Sequence, residues 1–384
     1  MTEAPRRICA VCIYDSRMPG IRFDESGVCS FCQMIADLKR DYGTGTPAGE
    51  EKLRAIVDEI KRAGQGKKYD VIVGVSGGTD SSFMLMKAVE WGLRPLAVHY
   101  DNTWNTAVAT ENIRKMLSKL KVDLYTHVVD NREADDIIRS FFKASVPDLD
   151  GPTDLALAET LYRAASAHGV GYVLEGHSFI TEGISPLGAI YFDGKYIASI
   201  QKRFGTMPIR TYPNMPLHTF LKWILFKRIR KIRPFWYMQY DKEAAKEILK
   251  REFGWSDYGG HHLENRITAF YHSYYLPRKF GIDLRSNTIA ARVRAGKISR
   301  EEGIREYAEP PYLEEGLVEY FQKRVGLTEK EFQAAMDAPK KTYREYPSYK
   351  RTFERMAPLF LLLAKRNLVP MSFYLKYCAR ERPT

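Results

Sequence analysis

The chain has 384 residues, of which 45% are hydrophobic and 28% are charged, with a formal net charge of +12. This composition excludes a disordered chain, the length predicts two or three domains, and the positive charge favours acidic partners without choosing among them. The first residues lack an apolar signal segment and the longest apolar runs, such as 356–364, are too short to span a bilayer, so we expect a cytoplasmic protein.

The first segment, residues 1–45, is rich in turns and contains two cysteine pairs, Cys9-x-x-Cys12 and Cys29-x-x-Cys32. Two such pairs can present four thiolates tetrahedrally, which is the ligand set of structural Zn²⁺. The segment has little apolar material, so metal binding would supply much of its folding free energy. We therefore predict a zinc-ribbon-like domain over 1–45, with two redox dithiols as the alternative.

Short apolar runs alternate with helical periodicity beyond a linker near residue 45. Strands are predicted over 70–75, 95–100, 124–129 and 171–175, and helices over 83–89, 110–120 and 155–168. This alternation predicts an α/β fold with a doubly wound, mostly parallel sheet over 50–185. Ligands of such folds bind beyond the carboxyl ends of the strands.

A glycine-rich turn, Ser76-Gly77-Gly78-Thr79-Asp80-Ser81-Ser82, lies between the first predicted strand and its helix. Free N–H groups at the helix start and the serine hydroxyls can cradle a phosphate. The turn carries no Walker lysine and resembles the PP-loop of the ATP pyrophosphatase superfamily, which has a HUP-like fold. This resemblance implies that the seven residues bind ATP and that Asp80 helps to hold Mg²⁺. An ordinary strand-to-helix turn is the alternative.

Two further candidates follow predicted strands at the same edge of the sheet. Asp101 follows the second strand and is predicted to contact the adenosine, although a turn-forming role is nearly as well supported. Gly176 and His177 follow the fourth strand, where related enzymes carry a Gly-His pair near ATP. The resemblance therefore assigns Gly176 to ATP binding and His177 to catalysis, with a structural histidine as the alternative.

The positions of the cysteines reduce the number of candidate reactions. No cysteine lies between Cys32 and Cys378, which disfavours a sulfur-carrying thiolase. Residue 2 is threonine and a second domain with a cysteine nucleophile is missing, so we do not expect the chain to make ammonia from glutamine. Ammonia would then come from a separate subunit or from solution.

The remaining region, 186–384, is basic, aromatic and mainly helical in pattern, and we expect it to form the acceptor and partner region. Its segments 255–268 and 274–283, together with the cysteine pairs and the glycine-rich turn, resemble the N-acetyl sugar amidotransferase family. The likeness runs from Cys9 to about Glu302. Enzymes of this family serve bacterial surface-glycan pathways, such as O-antigen and lipopolysaccharide biosynthesis.

The resemblance implies a specific reaction. ATP would adenylate the amide oxygen of an N-acetylated sugar, generally nucleotide-linked, and ammonia would displace AMP to leave an acetamidino group. Partner subunits resembling the glutaminase and cyclase of histidine biosynthesis would deliver the ammonia. The alternatives are a tRNA-modifying PP-loop enzyme, of the thiolase or lysidine-synthase type, and a non-catalytic nucleotide-binding scaffold.

Polar clusters in the C-terminal region are candidates for the acceptor site. Four side chains suit a sugar-nucleotide diphosphate, namely Lys195, Gln201, Lys202 and Arg203. A second set is predicted to line the reacting centre, with one histidine as base toward ammonium: His261, His262, Glu264 and Arg266. The alternative for the second set is a solvated loop in which Glu264 and Arg266 pair on the surface.

The stretch 221–233 is apolar at first and then strongly basic. We favour a helix packed against the core, with cations that extend to solvent. Contact with a partner or with the inner face of the membrane ranks second. Contact with nucleic acid is the least favoured interpretation of this stretch.

Overall fold

One parallel sheet lies at the centre of the computed structural model, which describes residues 6–184, 190–259, 263–366 and 368–379. Its strands follow the order β3-β2-β1-β4-β5, and every neighbouring pair is parallel. The strands are β1 (Val71–Gly74), β2 (Pro95–Asp101), β3 (Leu124–Val128), β4 (Tyr172–Leu174) and β5 (Arg230–Ile232).

Helices connect these strands and form most of the C-terminal region. The α-helices are α1 (Ser30–Tyr42), α2 (Pro47–Ala63), α3 (Thr79–Glu90), α4 (Ala107–Leu120), α5 (Asn131–Ala144), α6 (Gly151–Ala167), α7 (Gly194–Phe204), α8 (Leu217–Leu221), α9 (Lys242–Phe253), α10 (Arg266–Phe270), α11 (Arg285–Arg294), α12 (Arg300–Ala308), α13 (Leu317–Arg324), α14 (Glu329–Asp337), α15 (Lys350–Arg355), α16 (Ala357–Lys365) and α17 (Met371–Phe373). Three π-helical segments continue helices, at Lys222–Phe226, Tyr271–Phe280 and Tyr374–Cys378, and 3-10 turns lie at Pro234–Trp236 and Tyr343–Glu345.

Apolar side chains cover both faces of the sheet. Val71 and Val73 pack with α2, α3 and α9 on one face, whereas Ile72 packs with α6 and α16 on the other. Strands that are buried on both faces are typical of doubly wound α/β folds. The predicted fold class is therefore confirmed, and each of the four predicted strands lies within two residues of its observed bounds.

The fifth strand corrects the interpretation of the basic stretch. Residues 221–233 are not one helix, because the helix ends after Phe226 and β5 pairs with β4 at the sheet edge. The cations of β5 do not extend to solvent. Arg230 pairs with Glu59 at 2.6 Å, and Lys231 pairs with Glu175 at 2.7 Å, so carboxylates of the core region stabilise this strand.

The proposed division at residue 185 stays a prediction. The C-terminal region contributes β5 to the sheet, and Ile232, Phe235 and Trp236 join the core that packs on α3. Helix α5 was absent from the predicted elements. Its apolar face, including Phe141 and Phe142, packs against α7, α10 and α13, beyond the carboxyl ends of β2 and β3.

Candidate functional site

The glycine-rich turn connects β1 to α3 at the carboxyl edge of the sheet. Gly77 has a φ of +80°, and a Cβ added there would lie 2.2 Å from the carbonyl oxygen of Ala109. Two side chains, Asn112 and Trp255, donate to the carbonyl of Gly77 at 3.2 Å and 3.1 Å. Only glycine fits this position, because the turn needs a positive φ and lies in direct contact with α4.

The turn carries backbone N–H groups that have no protein partner within the part of the chain that the structure describes. Helix α3 begins at Thr79, and its N-cap, Gly78, provides no side-chain cap. Among the described residues, the N–H groups of Gly77, Asp80 and Ser81 have no hydrogen-bond partner. Unpaired N–H groups at a helix N-terminus, together with the helix dipole, form an anion-binding site. The geometry therefore suits a phosphate.

Serine hydroxyls line the same turn. The Oγ atoms of Ser76 and Ser81 lie 3.2 Å apart, and the N–H of Ser76 donates to Ser81 Oγ at 3.2 Å. Thr79 and Ser82 are buried at 1% and 3% exposure, and both glycines of the turn are buried as well. The contacts of the seven loop residues with ATP stay predictions.

Asp80 lies on the first turn of α3 and is held by two residues from far along the chain. Tyr240 donates to Asp80 Oδ1 at 2.5 Å, and Lys242 Nζ lies 2.6 Å from Asp80 Oδ2. Burial by itself lowers the pKa of Lys242, but Asp80 and Glu182 together outweigh this effect and hold the pKa above its ordinary value. Lys242 is therefore charged at neutral pH.

Glu264 faces the glycine-rich turn from the C-terminal region. A Cβ added to Gly78 would lie 3.0 Å from Glu264 Oε1 and 3.2 Å from the hydroxyl of Tyr258, and Thr79 N–H donates to that hydroxyl at 3.4 Å. A carboxylate beside a phosphate site repels the phosphate unless a cation lies between them. The arrangement therefore favours binding of a phosphate together with a cation.

Asparagine side chains position Glu264. Asn105 and Asn265 form an antiparallel bridge, and Asn265 Nδ2 donates to the side-chain oxygens of Asn102 and Asn105 at 2.8 Å and 2.9 Å. The carbonyl of Glu264 accepts from Thr106 N–H at 2.9 Å. The loop after β2 thus holds the backbone of Glu264 in place beside the turn.

Gly176 and His177 lie where the sequence predicts, beside the start of α3. A Cβ at Gly176 would lie 2.6 Å from the carbonyl oxygen of Asp80, so only glycine allows this approach. His177 Nδ1 accepts from Trp236 Nε1 at 3.2 Å, which assigns the ring proton to Nε2, 3.7 Å from Glu182. Burial, aided by the positive charge of Arg233, lowers the pKa of His177 to about 3. The imidazole is therefore neutral near pH 7.

Other predicted residues are not brought to the turn. Asp101 Oδ1 accepts from Thr103 N–H at 2.7 Å, which is the turn-forming arrangement weighed as its alternative. Arg266 lies over the ring of Tyr320 at 4.7 Å and pairs with Glu314 at 3.5 Å. It does not form the surface pair with Glu264 considered above, because Glu264 turns toward Gly78.

The cations of α7 lie apart from the glycine-rich turn as well. Lys195, Lys202 and Arg203 are exposed on α7, which packs chiefly against α5. Gln201 is buried and donates to Asp136 at 2.5 Å, a structural contact. The other two predicted residues, His261 and His262, lie outside the described residues, so their roles stay predictions.

Sequence reasoning missed Tyr240, Lys242 and Tyr258. The turn and these residues are separated by at least 160 positions, and no spacing links them. The missing Walker lysine was the one available signal, since a phosphate site without its own cation needs one from elsewhere. Even that signal does not identify which of the many lysines supplies the cation.

The four N-terminal cysteines converge on one point. Their Sγ atoms all lie within 4.8 Å of one another, with Cys9–Cys32 and Cys12–Cys29 each at 3.9 Å, and all four side chains are buried. A tetrahedral ion with Zn–S bonds of about 2.3 Å separates its sulfurs by ~3.8 Å. The cluster therefore fits one tetrahedral metal ion.

The cysteine cluster packs on the C-terminal region. Tyr14 donates to Asn287 Oδ1 at 2.7 Å, and Arg300 Nε donates to the carbonyl of Cys9 at 2.8 Å. Ile289 and Ala290 of α11 belong to the same buried cluster as the four cysteines. With four sulfurs as ligands, a metal here would have no open position, which indicates a structural role.

Residues 264–359 match the family described as "LPS biosynthesis protein WbpG-like, C-terminal domain". This match supports the resemblance to a surface-glycan family that the sequence analysis drew. An uncharacterized protein of Methanocaldococcus jannaschii, MJ1599, is 25% identical over 313 residues, which cover 79% of this chain and 93% of that protein. No helix among the described residues is long and apolar enough to cross a bilayer.

Two solved structures are among those similar to this chain. The NH3-dependent NAD synthetase of Campylobacter jejuni is 12% identical, with a TM-score of 0.31 over 76% of this chain and 96% of that one. The U34-tRNA thiolase NcsA of Methanococcus maripaludis, solved with its 4Fe-4S cluster, is 13% identical, with a TM-score of 0.30 over 79% and 90%. At these TM-scores the fold assignment depends on the chain's own topology.

Proposed function

We propose that this chain, whose residues 264–359 belong to the WbpG-like C-terminal domain family of lipopolysaccharide-biosynthesis proteins, is an ATP-dependent amidotransferase acting on an N-acetylated sugar. One observation carries the proposal. The matched family segment begins at Glu264, and the carboxylate of this residue faces Gly78 of the glycine-rich turn. The family-specific domain and the phosphate site therefore meet at one place.

ATP is the proposed first substrate. The unpaired N–H groups of Gly77, Asp80 and Ser81 suit its triphosphate. Asp80 and Glu264 would hold Mg²⁺ beside it, since carboxylate oxygens are the ligands that this ion prefers, although in this structure Asp80 is paired with Lys242. When bound there, Mg²⁺ would neutralise phosphate charge.

The proposed reaction balances without a further reagent. The amide oxygen of the sugar's acetamido group attacks the α-phosphorus of ATP, and the bond to pyrophosphate breaks. Ammonia then attacks the amide carbon, the C–O bond breaks so that the oxygen leaves with AMP, and one proton of the ammonia passes to pyrophosphate or solvent. The products are the acetamidino sugar, AMP and pyrophosphate. The turn contributes by holding the triphosphate in one orientation while the acceptor approaches.

The neutral state of His177 limits its part in this scheme. With its proton on Nε2, it can donate a hydrogen bond to a phosphate or to the acceptor oxygen. Its lowered pKa favours the neutral imidazole near pH 7. We propose a positioning role for His177.

Two features support amidation over tRNA modification. The cysteines near the N-terminus are gathered in one buried cluster, and Cys378 is buried at 0% exposure, so none of these described thiols is presented at the turn. The cations of β5 are engaged with Glu59 and Glu175, which removes them from a surface that could contact an RNA backbone.

We propose Zn²⁺ for the four-cysteine cluster. A 4Fe-4S cluster bonds each cysteine to a different iron, so its sulfurs lie further apart than four sulfurs on one ion. The observed separations of 3.9 Å match a single tetrahedral ion. The metal would hold the N-terminal segment against α11 and α12.

Ammonia delivery by glutaminase and cyclase-like subunits is part of the proposal. We also propose contact with the inner face of the membrane, because Phe226 is 81% exposed and Lys222, Lys227 and Arg228 flank it. Flotation with vesicles that contain anionic lipid tests this contact. Failure of the wild-type chain to float at physiological salt would exclude it.

The main experiment incubates the protein with ATP, Mg²⁺, ammonium and a panel of N-acetylated nucleotide sugars. We expect AMP, pyrophosphate and a sugar product whose mass has changed by the replacement of O with NH. The matched control is the same nucleotide sugar with a free amine in place of the acetamido group, which has no amide oxygen and should yield no AMP.

The alternatives give different results in the same assay. AMP formed only when tRNA is added would favour a tRNA-modifying enzyme and contradict the amidotransferase. ATP binding without AMP formation, with every sugar and with tRNA, would favour a nucleotide-binding scaffold.

A further inference from the structure

The glycine-rich turn has no lysine of its own, but a lysine from the C-terminal region reaches it. Lys242 lies 162 positions after Asp80, and its Nζ lies 2.6 Å from Asp80 Oδ2. Both side chains are largely buried, at 17% and 18% exposure. An ion pair at this depth brings a cation directly to the first turn of α3, where the anion-binding N–H groups lie.

The surroundings of Lys242 are rich in carboxylates. Asp80 and Glu182 both act electrostatically on its ammonium group, and Tyr258, which lies beside Glu264 at Gly78, acts on it as well. Tyr240 donates to the other oxygen of Asp80. The ammonium therefore occupies the position that a divalent cation would need in order to bind Asp80.

The backbone of Lys242 is fixed, whereas its side chain can move. It is the first residue of α9, and the N-cap, Asp241, accepts from Glu243 N–H and Ala244 N–H at 3.0 Å and 3.3 Å. Lys297 also pairs with Asp241. The four-carbon stem of a lysine allows its ammonium to swing from a carboxylate to a nearby phosphate without movement of the helix.

We propose that Lys242 is the phosphate-binding lysine of this site, and that its ammonium occupies the cation position on Asp80 until metal and nucleotide arrive. With both ligands bound, Asp80 would hold the divalent cation, and the ammonium of Lys242 would contact the pyrophosphate portion of the nucleotide. This inference rests on the proposed use of ATP and adds the residue that replaces a Walker lysine. Lys242 acts here by contact with the substrate, since its charge offsets that of the leaving pyrophosphate.

The proposal predicts that loss of Lys242 has opposite effects on the binding of phosphate ligands and on the binding of a free metal ion. In Lys242→Met, inorganic pyrophosphate and ATP with Mg²⁺ should bind about tenfold or more weakly, because a charge-assisted contact is lost. Mn²⁺ alone should bind more tightly, because the competing ammonium is gone. Lys242→Arg should retain most of the pyrophosphate affinity, since its charge remains. Removal of a residue that only supports the fold would lower the affinity for the phosphate ligands and for Mn²⁺ alike.

The experiment measures binding of pyrophosphate, ATP with Mg²⁺ and Mn²⁺ by calorimetry. Lys250→Met is the matched control, because Lys250 lies on the same helix and pairs with Glu247 in an exposed position. This control should leave all three affinities unchanged. Thermal unfolding of each variant identifies any that fails to fold, in which case Lys242→Arg and Lys242→Gln give the comparison.

The outcomes separate this inference from the proposed function. Wild-type protein that binds neither ATP nor pyrophosphate would overturn both. Wild-type protein that binds ATP, with Lys242→Met binding pyrophosphate equally well, would overturn the role of Lys242 alone. Mn²⁺ affinity that falls with pyrophosphate affinity in Lys242→Met would also overturn it and indicate a structural role.

Discussion

The cysteine cluster and the glycine-rich turn are built in different ways. All four sulfurs of the cluster come from one N-terminal segment, in which Cys9 and Cys32 are 23 positions apart. The charged groups at the turn come from distant parts of the chain, since Lys242 follows Asp80 by 162 positions. The first site is complete within a short segment, whereas the second depends on tertiary packing for its electrostatics.

Both sites nevertheless contact the C-terminal region. Arg300 and Asn287 hold the cysteine segment, and Lys242 and Glu264 reach the turn. A metal ion in the cluster would therefore stabilise a region that also contributes to the proposed phosphate site. The difference between the two sites can be tested with substitutions at one site, by measuring whether they change the metal content or activity of the other.

The largest effect is expected from Cys12→Ser. Loss of one of four ligands should release the metal and cost several kcal/mol, on the order of a structural zinc site's contribution to folding. Metal content by mass spectrometry and thermal unfolding measure this loss. Cys378→Ser, outside the cluster, should keep the metal. Stoichiometric metal in Cys12→Ser would show that the cluster is not a four-ligand site.

The next largest effect is expected from Asp80→Ala. AMP release should fall by about a hundredfold or more, because this carboxylate is the proposed metal ligand at the turn. Zinc content should not change, since the cluster is complete without α3. The exposed carboxylate of Asp123, which pairs with Lys68 at 3.0 Å, provides the control Asp123→Ala. Normal turnover in Asp80→Ala would remove its proposed role.

A smaller effect is expected from Glu264→Gln. This change keeps the shape of the side chain but removes its charge, so the Mg²⁺ concentration needed for half-maximal AMP release should rise by about tenfold. The control is Glu314→Gln, because Glu314 pairs with Arg266 away from the turn. An unchanged Mg²⁺ requirement would indicate that Glu264 contacts the acceptor and not the cation.

The smallest effect concerns His177 and pH. Its pKa is about 3 in the folded chain, below the ordinary value of 6.5, so the unfolded chain binds the proton more tightly. The contribution of His177 to stability is complete above about pH 6.5 and falls as the pH decreases toward 3. His177→Asn should therefore lose less stability than wild type between pH 6.5 and 4. Denaturant unfolding across this range measures the free energy of unfolding of both proteins. Parallel plots of this free energy against pH would contradict the lowered pKa of His177.

Much of the α/β region over 50–185 could be predicted because its sequence patterns lie within short segments. Runs such as 70–75 form strands that are buried on both faces, and the turn before Thr79 needs glycine at Gly77 for a positive φ. The short strand β5 escaped prediction for the opposite reason. Its basic residues are stable in a sheet edge only because Glu59 and Glu175 lie beside them.

The acceptor residues were only partly predictable. Glu264 was selected for its neighbours in the sequence, and packing brings it to the turn, whereas Arg266, two residues later, turns to Glu314. Lys195, Lys202 and Arg203 suit a phosphate by residue type, but α7 exposes them apart from the turn. Residue type states what a side chain can bind and does not state where the fold places it.

By itself, the sequence determined the four-cysteine cluster, the glycine-rich turn and the parallel α/β core, because each depends on spacing, on φ or on burial within a short segment. Only the tertiary structure decided which charges meet at Asp80 and Gly78. The physical reason is that electrostatic interactions depend on distance in space and on burial, and the chain must fold before Lys242 and Glu264 are near the turn.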